Sequence, residues 1–254
     1  MQFGYSAMPE YCRAAQEAGY DYVELPGKVI AAMSEKEFAA FAASLNIPTL
    51  GMNAFCPAEV VLTGLKHDLA VVCEYTQKLS KRAATLGVKT VGIGSPMSRN
   101  LPDEFDRELA KTQLENALVE IANILGKNDI TACLEALATC YCNTVNTLDE
   151  AAKIVRRLQH PNLNVVVDFY NMEHMGEADM DLTGIPFIHA HISDDDGAPN
   201  LRSYLKPEKR EIHQKRIRSL VEQGYEGRIT LEVDVAFDPF RAKESLCIMQ
   251  KACL

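Results

Sequence analysis

The alternation of apolar and amphipathic segments is the feature that most constrains the fold of this chain. Short β-branched or aromatic runs, which are typical of strands, alternate with longer segments whose apolar residues recur at helical spacing. The predicted strands cover residues 2–5, 22–25, 49–53, 90–93, 130–135, 164–168, 187–191 and 229–232. The predicted helices cover residues 9–18, 34–45, 65–86, 102–125, 148–158, 207–223 and 240–252, with a weaker helix after Asn171. This order predicts parallel strands joined by helices.

Closure of these strands into a barrel follows from their composition and from the chain length. The run Val165-Val166-Val167 is continuously apolar, as in parallel strands that are buried on both faces. The first strand lacks the Gly-x-Gly-x-x-Gly turn of an open dinucleotide-binding sheet, and 254 residues suffice for one closed barrel. We therefore predict an α/β fold, a single (β/α)8 TIM barrel in which residues 1–254 form one domain.

Charge and cysteine content exclude several classes of function. The net charge of −9 would repel a phosphate backbone, so we predict no nucleic-acid partner. No apolar run approaches the ~20 residues of a membrane span, so we expect no membrane partner. The eight cysteines lie mostly in apolar segments without a paired Cys-x-x-Cys pattern. We expect free thiols and a cytoplasmic protein.

Four of the predicted apolar strands end in side chains that can bind a metal ion. These ends are Leu134-Glu135, Val167-Asp168, His189-Ala190-His191 and Leu231-Glu232. The C-terminal ends of barrel strands surround one common site. Two glutamates, one aspartate and one imidazole suit Mn²⁺, Mg²⁺, Co²⁺ or Zn²⁺. We therefore predict a divalent metal bound by Glu135, Asp168, His191 and Glu232.

Each of these acidic residues, taken alone, is equally well explained as a polar strand end or a helix cap. Burying three carboxylates together without a cation is costly, and this cost favours the metal. The metal interpretation requires the four residues to lie together. It would fail if they lay far apart or if lysine or arginine neutralised them.

Three further residues near the predicted strand ends are candidates for substrate binding. His189 shares the parity of His191, so both should face the barrel interior, with His189 one layer deeper. Arg99 follows the fourth strand, where a guanidinium could hold a substrate oxygen, and Asp194 follows the seventh strand. The alternatives are a structural histidine, a surface cation and a solvated acidic turn.

The strand-end motifs also carry a resemblance to a known family. They are Leu134-Glu135-Ala136-Leu137, Val166-Val167-Asp168-Phe169-Tyr170, His189-Ala190-His191-Ile192-Ser193-Asp194 and Thr230-Leu231-Glu232. Over nearly its whole length the chain resembles the xylose-isomerase-like TIM barrels of the sugar phosphate isomerase/epimerase family, nearest to the D-tagatose and D-allulose 3-epimerases. The resemblance implies the same four metal ligands. It also implies that Glu135 and Glu232 exchange protons with a sugar.

The sequence departs from the epimerase pattern at the positions that hold the sugar. Tyr141 stands where the epimerases have a second glutamate, and Asn171 stands where they have a histidine. The expected arginine falls on Gly197, and Arg202 or Arg99 are candidates to replace it. We accordingly predict substrate-binding roles for Tyr141, Asn171 and Arg202 as well.

These features predict a metal-dependent sugar isomerase or epimerase that works through a cis-enediolate, with Glu135 and Glu232 as acid and base. A lyase or dehydratase on an inosose-like keto-polyol, with Tyr141 as the acid, is one alternative. A sugar-binding barrel without turnover is another. The related three-zinc endonucleases are disfavoured, because too few inward-facing histidines are visible. The expected partner is a small sugar or sugar derivative, and a homodimer or tetramer is compatible with the sequence.

Overall fold

Eight parallel strands close into a barrel in the computed structural model, which describes residues 1–253. The strands β1 to β8 are Gln2–Ser6, Tyr22–Pro26, Thr49–Asn53, Thr90–Ile93, Thr131–Glu135, Leu163–Asp168, Phe187–Ile192 and Arg228–Leu231. Each strand pairs with the next one along the chain, and β8 pairs with β1. The predicted single (β/α)8 TIM barrel is confirmed.

Helices surround the strands on the outside of the barrel. The helices α1 to α9 are Cys12–Ala18, Gly27–Ala32, Glu35–Ser44, Leu69–Leu86, Arg107–Gly126, Leu148–Leu158, Phe169–His174, Arg210–Glu222 and Pro239–Gln250. Asp68 and Asp106 cap α4 and α5, so these two helices begin later than predicted. Among residues 1–253, no helix is both long and apolar enough to span a membrane.

Helix α2 has no counterpart in the sequence prediction. Its last carbonyls are satisfied by a distant side chain, since Arg82 Nη1 donates to Ile30 O at 2.7 Å, Ala31 O at 3.2 Å and Met33 O at 2.8 Å. This buried guanidinium comes from α4, about fifty residues along the chain. The end of α2 therefore depends on a tertiary contact, which the local sequence does not encode.

The strand register sets the four predicted ligands at one end of the barrel. Asp168 in β6 pairs with His191 in β7, and His191 also pairs with Thr230 in β8. Glu135 is the last residue of β5, and Glu232 directly follows β8. After β7 a short antiparallel hairpin, Asp194–Asp195 with Arg202–Ser203, returns the chain to this same end.

Candidate metal centre

The four predicted ligands lie together as a candidate metal-binding group. Each of them offers one ligand atom, and the four atoms all lie within 4.8 Å of one another. His191 Nδ1 lies 3.3 Å from Glu232 Oε2, 3.6 Å from Glu135 Oε1 and 3.8 Å from Asp168 Oδ2. His191 is fully buried, and Glu135 and Asp168 are only 4% and 2% exposed.

Among residues 1–253, three of the facing atoms have no hydrogen-bond partner. They are Glu135 Oε1, His191 Nδ1 and Glu232 Oε2. Buried polar atoms without a hydrogen-bond partner are rare and costly, and here three of them point at one small volume. The set combines carboxylate oxygens with one imidazole nitrogen, which are ordinary ligands of divalent metals. The residues present therefore fit a divalent cation.

Two local features hold the carboxylates in place. Asp168 caps α7 by accepting hydrogen bonds from Tyr170 N at 2.8 Å and Asn171 N at 3.1 Å. Gly94, directly after β4, leaves room for Glu135, because a Cβ atom at Gly94 would lie 2.5 Å from Glu135 Oε2. A side chain at Gly94 would thus move the carboxylate of Glu135.

Arg202 forms ion pairs with two of the ligand carboxylates. It therefore neutralises part of the negative charge on which the metal interpretation depends. Its Nη2 atom lies 2.7 Å from Asp168 Oδ2, and Nη1 lies 2.9 Å from Glu232 Oε2. Glu232 Oε2 still lacks an aligned donor. One guanidinium balances only one of the three carboxylates, so an excess of negative charge remains.

The two glutamates differ in their electrostatic surroundings. Burial raises the pKa of Glu135 to about 7, and the neighbouring Glu232 adds to this rise while His191 opposes it. Burial also acts on Glu232, but Arg202 and His191 outweigh it and lower the pKa of that carboxyl. Burial opposes charge on His191. Nearby carboxylates, of which Glu24 has the largest effect, nevertheless raise the pKa of this imidazole well above its usual range.

A second polar layer lies directly below the four ligands. Glu24 in β2 accepts hydrogen bonds from His189 Nε2 at 2.9 Å and from His191 Nε2 at 3.2 Å. Burial opposes charge on Glu24, but the two histidines lower its pKa well below the usual range. Sequence reasoning missed Glu24, although an acid between the apolar residues Val23 and Leu25 of a predicted strand was a visible sign.

A cleft of about 380 Å³ opens beside Glu232. Its lining includes Ser6, Lys28, Asn53 and Asp234. Asn53 Nδ2 donates to Glu232 Oε1 and to Ser6 Oγ, both at 2.8 Å. Asn53 was also missed, although it ends a predicted strand as the ligands do. The cleft offers a path by which a polar ligand can reach Glu232.

Comparison with known proteins places this geometry in a family. The family model described as "Xylose isomerase-like TIM barrel" matches residues 12–251. The chain belongs to the xylose isomerase-like TIM barrel family. The resemblance predicted from the strand-end motifs is confirmed. No curated protein matches the sequence.

Solved structures share the fold of this xylose isomerase-like barrel. The 3-keto-D-glucoside 4-epimerase YcjR from E. coli has a TM-score of 0.75 at 17% identity, with 99% of both chains covered. D-psicose 3-epimerase from Clostridium cellulolyticum H10 has a TM-score of 0.73 at 16% identity, also with 99% of both chains covered. The IolI protein, solved with a zinc atom, has a TM-score of 0.67 at 20% identity, covering 100% of this chain and 96% of its own.

Three of the residues predicted to bind substrate make other contacts in this xylose isomerase-like barrel. His189 is buried and reaches Glu24, one layer below the ligands. Arg99 is fully buried behind Glu135, where Nη2 donates to the Glu135 carbonyl oxygen at 2.6 Å. Asp194 Oδ2 accepts hydrogen bonds from His213 Nε2 and Lys206 N, both at 2.7 Å.

The remaining predicted substrate residues lie at the centre. Asn171 Nδ2 donates to Asp168 Oδ2 at 3.1 Å, and its Oδ1 accepts from Ala138 N at 3.0 Å. Its amide therefore helps to hold Asp168 in place. Arg202 lies over the ring of Tyr170 at 4.9 Å and that of Tyr141 at 5.7 Å. The Tyr141 hydroxyl is buried and lacks a hydrogen-bond partner.

Proposed function

We propose that this protein is a metal-dependent isomerase or epimerase of a sugar or sugar derivative. The observation that carries the proposal is a group of three ligand atoms, from Glu135, His191 and Glu232, that face one another in a buried centre and have no hydrogen-bond partner among residues 1–253. Of the three, the Glu232 oxygen is in an ion pair with Arg202. The family and the epimerases among its structural neighbours support the reaction class.

The proposed metal ligands are Glu135, Asp168, His191 and Glu232. A bound divalent cation, Mn²⁺, Mg²⁺, Co²⁺ or Zn²⁺, would supply Lewis acidity toward a carbonyl and stabilise the negative charge that forms when the adjacent carbon loses its proton. The oxygen-rich ligand set favours no single one of these metals.

The two glutamates would carry the proton. Glu135 Oε1 and Glu232 Oε2 both lie close to His191 Nδ1, at 3.6 Å and 3.3 Å. One carboxylate removes a proton from the carbon next to the carbonyl, and the other returns a proton. Return to the opposite face of the same carbon gives an epimer, whereas return to the neighbouring carbon gives an isomer.

Arg202 would hold an oxygen of the sugar. Its guanidinium reaches two of the ligand carboxylates and is supported by the rings of Tyr170 and Tyr141. A substrate hydroxyl or carbonyl oxygen can accept from this guanidinium once it moves off the carboxylates. In this way Arg202 would take the place of the arginine that the epimerase pattern has at Gly197.

Tyr141 supports a second candidate, a lyase or dehydratase of a keto-polyol. Its buried hydroxyl has no hydrogen-bond partner, and burial raises the pKa of this phenol, so it stays protonated. A protonated hydroxyl beside the carboxylates could donate its proton to a leaving hydroxyl group. Loss of water from the substrate would then follow the same first proton abstraction.

Deuterium uptake from heavy water tests the proposal. The Mn²⁺-loaded protein is incubated with a panel of ketoses and keto acids, and the carbon-bound deuterium is measured by mass spectrometry. Uptake without loss of water is expected. Uptake with loss of water would support the lyase, and no uptake by a protein that binds Mn²⁺ would support a binding protein without turnover.

Two variants link this exchange to the assigned residues. Glu232→Gln should abolish deuterium uptake while it retains some Mn²⁺, because the amide keeps one oxygen ligand but cannot accept the proton. His191→Ala should lose Mn²⁺ affinity first, since the sole nitrogen ligand is removed. Small and equal effects from both variants would mean that the centre is misplaced.

A further inference from the structure

We propose that Glu24 is a positioning residue for the metal centre. Its buried carboxylate accepts the N–H of His191 Nε2 and orients the ring, so that Nδ1 is the nitrogen left to bind a cation between the three acidic ligands. The inference rests on the proposed function, because it assigns a role at the same centre. The sequence motifs of the centre do not include Glu24, which lies in β2, far from the four ligands along the chain.

The hydrogen bonds of Glu24 determine which nitrogen of His191 carries a proton. Both carboxylate oxygens of Glu24 lie 3.2 Å from His191 Nε2. An ionised carboxylate only accepts, so Nε2 must donate. Because Nε2 keeps its proton for Glu24, Nδ1 is the nitrogen that gives up its proton, and so frees its lone pair, when a cation binds. That atom is the one that faces Glu135, Asp168 and Glu232.

The orientation of the ring depends on the same contact. His191 is fully buried, and its Nε2 and Nδ1 edges face two different layers, Glu24 below and the acidic ligands above. Histidines that bind metals usually donate their other N–H to a carboxylate or a carbonyl, and this contact strengthens the bound nitrogen as a ligand. Glu24 occupies the place of such an outer carboxylate.

The barrel interior is shaped to hold Glu24. A Cβ atom at Gly51 would lie 3.0 Å from Glu24 Cδ and 3.1 Å from Glu24 Cγ, so the glycine in β3 makes space for this side chain. His189 Nε2 donates to Glu24 Oε2 at 2.9 Å and also lies 3.3 Å from Thr230 Oγ1. The Glu24 carboxylate thus accepts hydrogen bonds from two imidazoles. A glutamine amide in its place would offer only one acceptor oxygen.

Glu24→Gln should therefore weaken metal binding. The amide removes the charge behind His191 and leaves one of the two imidazoles without an acceptor, and we expect a loss of about 10- to 100-fold in Mn²⁺ affinity. Thr230→Val is the matched control, because it removes hydrogen bonds to His189 and to the Tyr22 hydroxyl in the same buried layer. It leaves the contact between Glu24 and His191 in place. This control should change the affinity by less than about threefold.

Isothermal titration of the metal-stripped full-length protein with Mn²⁺ measures these affinities, and circular dichroism verifies the fold of each variant. Equal affinity of the wild type and Glu24→Gln overturns the role of Glu24 and leaves the proposed function intact. A wild type that binds no Mn²⁺ contradicts the proposed function itself, and with it the positioning role.

Nuclear magnetic resonance of ¹⁵N-histidine-labelled wild type gives a second readout that needs no folded Glu24 variant. We expect His191 Nε2 to carry a proton both in the metal-free and in the Zn²⁺-loaded protein. Comparison with the spectra of His189→Gln and His191→Gln assigns the resonances of these two rings among the six histidines. An unprotonated Nε2 on His191, in either the metal-free or the Zn²⁺-loaded protein, overturns the positioning role of Glu24.

Discussion

At the scale of single residues, Arg202 and a cation compete for the same carboxylates. The guanidinium lies 2.7 Å from Asp168 Oδ2 and 2.9 Å from Glu232 Oε2. These contacts satisfy part of the negative charge, while Glu135 Oε1 and His191 Nδ1 stay without partners. A cation that binds between the carboxylates should therefore displace the guanidinium toward the substrate.

Replacement of Arg202 tests this competition. Arg202→Met should bind Mn²⁺ roughly threefold to tenfold more tightly, because a positive charge is removed from beside the ligands. Deuterium exchange into the substrate should fall, since the sugar loses a guanidinium contact. Isothermal titration and mass spectrometry measure the two effects.

Arg216→Met is the matched control for Arg202→Met. Arg216 is also a buried guanidinium near an aromatic ring, but it pairs with Glu173 at 2.8 Å, away from the centre. This control should leave both Mn²⁺ affinity and exchange unchanged. If Arg202→Met lost Mn²⁺ binding while Arg216→Met kept it, the proposed competition between Arg202 and the cation would be contradicted.

Gly94 allows a residue-scale test of the position of Glu135. In Gly94→Ala the new methyl group would meet Glu135 Oε2 at 2.5 Å and push the carboxylate aside. The carboxylate is the mobile end of a side chain, so the free energy of unfolding should change by less than about 1 kcal/mol. Mn²⁺ affinity should fall about tenfold or more.

Gly92→Ala, two residues earlier in β4, is the control for Gly94→Ala. A Cβ atom there meets its nearest neighbour at an ordinary distance of 3.6 Å. Urea denaturation and Mn²⁺ titration of both variants separate stability from the geometry of the centre. Equal Mn²⁺ affinity in the two variants would show that Glu135 is not a ligand.

At the scale of elements, the hairpin after β7 is tied to α8 through Asp194. Its Oδ2 atom accepts from His213 Nε2 and from Lys206 N, both at 2.7 Å, and Lys209 Nζ lies 3.0 Å from Oδ1. Burial opposes charge on Asp194, but the hydrogen bond from His213 and the other contacts lower its pKa to about 2. This tie holds the hairpin strand that carries Arg202.

Asp194→Asn should lower the free energy of unfolding by about 2 kcal/mol at neutral pH, because the folded state favours the ionised carboxylate. A lowered pKa in the folded state gives stability that is complete above the unfolded pKa. The difference between wild type and variant should therefore shrink as the pH falls from about 4 toward about 2. Urea denaturation across this range measures it.

Asp195→Asn is the neighbouring control. Asp195 is partly exposed, and its pair with Lys206 spans 3.2 Å, so its loss should cost less than about 1 kcal/mol. A cost as large as that of Asp194→Asn would contradict the assignment of the tie to Asp194.

The elements show how much of the fold and of the centre the sequence could predict. All eight strands were predicted, because buried parallel strands are marked by apolar runs such as Val165-Val166-Val167. The meeting of Glu135 with Asp168 followed from the same rule, since both end such runs. Helix α2 could not be predicted, because its end depends on Arg82.

The position of Arg202 could not be derived from local sequence either, because a hairpin returns it to the strand ends. The burial of Arg99 could not be derived either, since a loop position after a strand does not reveal that the chain folds over it. The contact of Asp194 with His213 likewise joins residues that lie in different elements. Periodicity thus predicts which side chains a single strand places at its end. Contacts made by segments that return to the centre from elsewhere in the chain become visible only in the tertiary structure.

At the scale of the whole molecule, closure of the barrel explains why the centre can exist. Residues from β2, β5, β6 and β7, with Glu232 after β8, meet only because the sheet closes on itself. The surrounding core excludes water, which makes unbalanced charge costly and a cation favourable. We propose that residues 1–254 fold as one domain around this centre.

Anomalous diffraction from crystals grown with Mn²⁺ would locate the cation. We expect a strong anomalous peak between Glu135, Asp168, His191 and Glu232, with the Arg202 guanidinium turned away from Asp168. Crystals without a peak at this position, with Arg202 still on the carboxylates, would contradict the proposed metal centre.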